Sequence, residues 1–397
     1  MELFARTTDG ILSLAEFREL LDSGRKLKIK FGTDVTAPFL HLGHAVNLWM
    51  MREMQERGHL VQFLIGDFTT LVGDPTGRSG ARTSPSRADI ERDAEAFIRQ
   101  ASKVLITDDP EVFEVKRNSE WWDKTALSDF MRLANSVTTA KLLSRDMFRS
   151  RLESGGEVRV DEMLYPILQG WDSVQLGSDL TIVGSDQLFN ESMGRAFQVR
   201  SGQKPQVVIT TKITPGLDGV HKQSKTLGNF VAIDDDARTM FGKTMSLPDN
   251  LIRSWLEVYT TMTYERIDAL CGTETEGRSH PDPHEAKVEL SRAIVERWHG
   301  AAAAKEESGW FERTFSSGTF PNDALLARLP EGAYRALDLL AAVAPELSRS
   351  ELRRLVGEGA VMVDGCKLAG INERIATAKG RNLELKIGRR KFVRITS

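Results

Sequence analysis

Lys26-Leu27-Lys28-Ile29-Lys30-Phe31-Gly32-Thr33-Asp34-Val35-Thr36, followed closely by His41-Leu42-Gly43-His44, carries the clearest architectural signal in the chain. Lys26–Phe31 predicts a strand that stops at a glycine. Gly43–Arg57 carries helical apolar spacing through Val46, Leu48, Met50 and Met51. Leu60–Ile65 predicts a second short strand, closed by Gly66. The alternation repeats along the chain. Ser86–Leu105 reads as a charged amphipathic helix, and Val112–Val115, Leu180–Gly184 and Val207–Thr211 read as strands. Such βα alternation predicts an α/β chain with a parallel sheet covered by helices. Ligands of these sheets sit at the carboxyl ends of the strands. Gly32, Gly66 and Gly184 each follow such an end and are expected to line one cleft.

The chain has 397 residues, too many for one ordinary core, so two or three domains are expected. It carries 53 Lys+Arg against 56 Asp+Glu, a formal net charge of -3, so total charge does not announce a nucleic-acid binder. The distribution is uneven. From Arg349 to the end, twelve basic residues face five acids, which leaves +7. Arg349, Arg353, Arg354 and Lys367 belong to this positive field, which suits phosphate contacts. Cys271 and Cys366 form no CxxC pair, so neither a zinc site nor a disulfide framework is expected. No apolar run reaches membrane-spanning length, and the first residues lack the apolar core of a secretory signal. A cytoplasmic protein is the expectation.

Two clusters look built for one reacting triphosphate. His41 and His44, three apart at a helix start, can both face a phosphate at the positive end of the helix dipole. Gly32 permits close backbone approach, and Thr36 adds a hydroxyl donor. Lys222-Gln223-Ser224-Lys225-Thr226, bounded by Gly219 and Gly228, offers two ammoniums and two hydroxyls on one loop. Arg78 and Arg82 follow the turn-like Asp74-Pro75-Thr76-Gly77 and could clamp pyrophosphate. Gly242-Lys243-Thr244 resembles the end of a P-loop, but Ala237 stands where the first glycine is required, so that reading is discarded. Tyr165, Gln169 and Asp172 share one helix face by spacing. Gly184-Ser185-Asp186-Gln187 follows a strand and could read a ribose diol and an ammonium or adenylate.

Together these pieces resemble class I tyrosyl-tRNA synthetases of the bacterial type. HLGH fits the class's HIGH motif, and KQSKT stands in the place of its KMSKS loop. Tyr165-x-x-x-Gln169-x-x-Asp172, Gly184-Ser185-Asp186-Gln187, Asp34-x-Thr36 and Gly73-Asp74-Pro75-Thr76-Gly77 match as well. The tail is similar to the ribosomal S4-type RNA-binding module. The resemblance implies a Rossmann-like catalytic domain over 1–230 with a helical dimer-interface insertion. It implies an α-helical anticodon-region domain over 231–325 and an S4-like α+β domain over 333–397. Ala126–Phe148, read as one helical stretch, serves either that interface or the subunit's own core.

The resemblance also implies roles. Tyr165, Gln169 and Asp74 hold the substrate ammonium. Asp172 accepts the phenolic hydroxyl, and Lys30 sits where one lineage has a tyrosine that also reads it. His41 and Thr36 contact the outer phosphates, and His44 lies near the ribose. Asp186 binds the ribose hydroxyl, with Gly32, Asp34, Gly43 and Gly184 around the nucleotide, and Gln187 positions the carboxylate. Lys222, Lys225, Thr226, Arg78 and Arg82 stabilise departing pyrophosphate. ATP, with Mg2+, is a substrate; no tightly bound cofactor and no protein-held metal are expected. The implied partners are tRNA(Tyr), tyrosine and a second copy of the chain, and no membrane. Gln223 for methionine, Thr226 for serine, Val183 for a frequent glycine and Phe39 for an acidic residue depart from the pattern. They leave open a paralogue that adenylates another aromatic acid. A non-catalytic RNA-binding protein is the third reading.

Overall fold

In the computed structural model, residues 2–36, 38–75, 85–224, 227–272, 282–316, 319–388 and 391–396 are described. The chain divides into two compact units, Met1–Ala304 and Lys305–Ser397.

The first unit is built on a six-stranded sheet. Its strands are β1 (Thr8–Leu12), β2 (Lys28–Asp34), β3 (Leu60–Gly66), β4 (Phe113–Arg117), β5 (Leu180–Gly184) and β6 (Val207–Thr211). Their spatial order is β1-β6-β5-β2-β3-β4. All neighbours run parallel except β1, which pairs antiparallel with β6. The chain moves outward from β2 to β3 and β4, then returns to the other side of β2 for β5 and β6. The order therefore reverses between β2 and β5, and a crevice opens there at the strands' carboxyl ends. Helices cover both faces, so the strands read as apolar runs. Ile29, Phe63, Ile65 and Ile182 are fully buried.

Strand β2 runs further than its apolar run predicted. Gly32, Thr33 and Asp34 keep pairing with Leu64, Ile65 and Gly66, because a parallel neighbour supplies hydrogen bonds whatever the side chain. Ser86 is a cap, not the first helical residue. Its hydroxyl accepts from the Asp89 N–H while the Asp89 carboxylate accepts from the Ser86 N–H.

The stretch Ala126–Phe148 is not one helix. It forms Leu127–Ala134, Thr139–Leu143 and the start of Asp146–Glu153. Ser136 Oγ donates to the Leu133 carbonyl and Thr138 Oγ1 accepts from the Lys141 N–H, so local side-chain bonds end one helix and start the next. On Leu127–Ala134, Phe130, Leu133 and Ala134 pack on a core of Ile167, Val174, Met193 and Phe197. Leu127 and Met131, one turn apart, are 75% and 57% exposed.

The second unit holds β7 (Leu325–Arg328), β8 (Gly332–Arg335), β9 (Val361–Val363), β10 (Cys366–Lys367), β11 (Arg374–Thr377), β12 (Leu383–Ile387) and β13 (Lys391–Thr396). Five strands order as β10-β9-β12-β13-β7, and β11 pairs with β8. The Asp364-Gly365 turn has φ of 48° and 79° at its two central residues, the left-handed pair a two-residue hairpin requires. Helix Arg349–Gly357 buries Leu352 and Val356 one turn apart, which leaves Arg349, Arg353 and Arg354 exposed.

Candidate functional site

A cleft of about 1080 Å³ opens where the strand order reverses. Gly32, Gly66 and Gly184 line it together with His41, His44, Lys222, Asp74, Tyr165, Gln169 and Asp172. One crevice thus brings the paired histidines together with Lys222, Gln223 and Ser224 of the second cluster. A methyl at Gly184 would lie 2.7 Å from Asp186 Oδ1, so any larger residue there displaces that carboxylate.

The histidines cap helix Leu42–Gln55 as a pair. His41 Nδ1 accepts from the Gly43 N–H at 3.2 Å, and His44 Nδ1 accepts from the His41 N–H at 3.3 Å. Each Nδ1 is therefore unprotonated, and each ring keeps its hydrogen on Nε2. The cap makes two neutral donors from two histidines, at the positive end of a helix dipole. The rings stand 4.0 Å apart between centroids. Residues 231–233 strap this start: Leu42 N–H donates to the Val231 carbonyl and Ile233 N–H to the Leu40 carbonyl.

Lys222 reaches the same cleft, with Nζ 2.5 Å from Asp186 Oδ2. Its segment is held by Asn229, which accepts from the Ser224 N–H and donates to the carbonyls of His221 and Lys222. Gln223 is buried. Thr36 and Gly43 also line the cleft. Lys225, Thr226, Arg78 and Arg82 lie outside the described residues.

At the other end, helix Val160–Leu176 presents Tyr165, Gln169 and Asp172. Tyr165 Oη donates to Asp34 Oδ2 at 3.0 Å. Burial first, then the carboxylates of Asp34 and Asp74, push this phenol well above its usual range, so it stays a neutral donor. Asp34 also accepts from Thr69 Oγ1.

From Asp74 a continuous chain of bonds crosses the floor. Gln187 donates to Asp74, Asn190 to Gln187 and to Gln169, and Gln169 to Glu191. Glu191 Oε2 accepts from Lys30 Nζ and Gln206 Nε2, each at 2.7 Å, and Lys30 also donates to Ser173 Oγ. Lys30 and Glu191 are each 1% exposed. Such a pair persists because its remaining polar atoms are bonded as well. Glu191→Gln is expected to lower stability by about 2 kcal/mol, because Lys30 loses the charge on its acceptor. A denaturant midpoint equal to the parent's would show that the pair contributes nothing.

Asp172 is 2% exposed. Its Oδ1 accepts from the indoles of Trp121 at 2.8 Å and Trp122 at 3.0 Å, and its Oδ2 from Asn118 Nδ2 at 3.2 Å. Burial raises its pKa to about 7, against the opposing pull of Lys30 and the three donors.

Sequence reasoning missed Asn118, Trp121, Trp122, Asn190, Glu191 and Gln206. Two signals were available. Asn118 directly follows the end of β4, where ligands gather. Glu191 stands four residues beyond Gln187, one helical turn away.

The arrangement juxtaposes neutral and cationic donors, which suit an anion, with a carboxylate-lined recess whose acceptors suit an ammonium and a hydroxyl. A family model described as tRNA synthetases class I (W and Y) matches residues 22–316. A tyrosine–tRNA ligase of Aquifex aeolicus is 39% identical over 392 residues, covering 98% of this chain and 97% of the relative. One of Oleidesulfovibrio alaskensis is 41% identical, covering 96% and 94%. The fold is also similar to the crystal structure of tyrosyl-tRNA synthetase from Aeropyrum pernix. There the TM-score is 0.58 at 21% identity, covering 78% of this chain and 97% of that one.

Proposed function

The chain belongs to the tRNA synthetases class I (W and Y), and we propose that it activates tyrosine with ATP and transfers it to the 3′-terminal ribose of tRNA(Tyr). The observation that carries the reading is that Asp172 shares one cleft with His41, His44 and Lys222.

In the first step a carboxylate oxygen of tyrosine attacks the α-phosphorus of ATP. The new bond joins carboxylate to phosphorus, and the bond to the bridging oxygen breaks, releasing pyrophosphate. The nucleophile is already ionised at neutral pH, so no protein base is needed. Catalysis comes from positioning and from donors aimed at developing charge. His41, with Thr36, meets the outer phosphates, and His44 lies near the ribose. Lys222, Lys225, Thr226, Arg78 and Arg82 receive the departing pyrophosphate. Gly32, Asp34, Gly43, Gly184 and Asp186 surround the nucleotide. Asp74, Tyr165 and Gln169 hold the ammonium, Gln187 orients the carboxylate, and Asp172 takes the phenol. Lys30 acts beneath them through its bond to Glu191. In the second step the ribose hydroxyl of tRNA attacks the tyrosyl carbonyl and AMP leaves.

Magnesium is proposed to arrive on the ATP phosphates. Among the described residues no group of three or more His, Cys, Asp or Glu side chains is placed to hold a metal ion, so no resident site is assigned.

We assign catalysis to 1–230, the anticodon region to 231–325 and RNA binding to 333–397. Exposed Arg349, Arg353, Arg354 and Lys367 support the last. Arg353→Ala with Lys367→Ala is expected to reduce the slope of log tRNA affinity against log salt by about one per charge removed. An unchanged slope takes these residues out of the contact. A homodimer is proposed on the exposed Leu127 and Met131, an apolar stripe of the kind a second copy covers. No helix among the described residues is long and apolar enough to cross a membrane. A cytoplasmic location is part of the same proposal.

ATP–pyrophosphate exchange across the amino acids, with tRNA charging, tests the function. Exchange with tyrosine and charging of tRNA(Tyr) are expected. Exchange confined to another acid, or none with any, overturns the reading.

A further inference from the structure

Thr214 and Gln223 occupy the two stems of the loop that leads to Lys222, and both side chains end on one buried hydroxyl. Tyr259 Oη lies 2.5 Å from Thr214 Oγ1 and 2.8 Å from Gln223 Nε2, and the Tyr259 side chain is fully buried. One turn earlier on helix Ile252–Tyr259, Trp255 donates from Nε1 to the Pro215 carbonyl at 3.1 Å. The two rings meet edge to face, 4.9 Å between centroids. The same amide of Gln223 lies beside the histidine-capped helix start, since a methyl on Gly43 would come within 3.9 Å of its Nε2. Gln223 thus joins the loop stem, the helix face and the wall beside His41.

Packing alone does not call for glutamine here. Gln223 Oε1 is buried and has no hydrogen-bond partner among the described residues. Methionine has the same reach and would fill the place without the unsatisfied acceptor. The bond to Tyr259 is what the amide adds. Nor does the clamp build the loop, because Asn229 and Asp218 already hold its backbone. What remains for the clamp is placement.

We propose that Gln223, Tyr259 and Trp255 are positioning residues that set where Lys222 stands against the nucleotide end of the cleft. This rests on the adenylate-forming reading of that cleft. Misplacement of a reacting group by about 1 Å costs up to roughly 10²-fold in rate.

The test compares Gln223→Met, Tyr259→Phe and the double variant in tyrosine-dependent ATP–pyrophosphate exchange, with unfolding midpoints measured alongside. Each single variant is expected to lower kcat about tenfold and to leave the KM for tyrosine within about twofold. The double variant is expected to be no slower than Tyr259→Phe, which already removes the Gln223 bond together with the Thr214 bond. The Gln223→Met midpoint is expected to match or exceed the parent's. Unchanged kcat in Gln223→Met, multiplied losses in the double variant, or a rate loss that follows a lowered midpoint overturns the clamp. A parent protein without tyrosine-dependent exchange overturns the underlying reading as well.

Discussion

Asp172→Asn is expected to cut the preference for tyrosine over phenylalanine by about 10²–10³-fold in pyrophosphate exchange. An ionised carboxylate offers about four acceptor places. The two indoles and Asn118 occupy three of them. One place remains on Oδ2 for a hydroxyl donor. On the proposed reading tyrosine is expected to fill it, whereas phenylalanine is expected to leave a buried acceptor unpaired, at a cost of about 1–3 kcal/mol and more for a charge. Asparagine replaces one acceptor with an NH2 donor and removes the charge, so tyrosine loses its advantage. Undiminished discrimination in the variant removes Asp172 from substrate selection.

The same group predicts a pH profile. Its pKa is raised to about 7, chiefly by burial. Below that pH the carboxyl becomes protonated and no longer offers a charged acceptor to the phenol. The kcat/KM for tyrosine is therefore expected to fall as pH drops through about 7, and that for phenylalanine to stay level. In Asp172→Asn the tyrosine profile is expected to be flat over this window. Stability moves in the opposite sense. Between the ordinary value of 3.8 and about 7 the native state holds a proton the unfolded chain has lost, so this group's contribution to stability declines as pH rises.

His44→Ala is expected to slow adenylate formation by about 10²–10³-fold, with tyrosine affinity unchanged. The cap holds its ring with the hydrogen on Nε2, so the donor is oriented before substrate arrives. Loss of the bond that His44 accepts from the His41 N–H, one half of the capping pair, adds a stability cost of about 1 kcal/mol. His44→Gln restores an N–H donor without the ring and is expected to recover part of the rate. Single-turnover measurement of adenylate separates the outcomes, and wild-type rates in both variants exclude His44 from the chemistry.

Much of this molecule was legible because its signals are local. Apolar runs such as Leu60–Ile65 declare buried strands, and the spacing of Tyr165, Gln169 and Asp172 places them on one helix face whatever surrounds the helix. The continuity of Ala126–Phe148 was misleading. Ser136 and Thr138 close and reopen the helix through short-range bonds that hydrophobic period does not register. Glu191 could be placed on the face of Gln187 by spacing, but its role could not be read. Its meaning depends on Lys30, which lies 161 positions away, and the strand order places β2 beside β5. Trp121 and Trp122 likewise look like ordinary apolar residues until Asp172 is set against their N–H groups.

The alternation of strands and helices, the glycine-ended strands and the motifs that place the chain among its relatives are all written along the linear chain. Each of these depends on neighbouring residues along the backbone. The charge and hydrogen-bonding state of the site emerges with folding: which nitrogen of each histidine keeps its proton, that Lys30 pairs with Glu191, and that burial raises Asp172 to about 7. Those properties follow from burial and from donors brought in from distant positions, and a low-dielectric interior amplifies both.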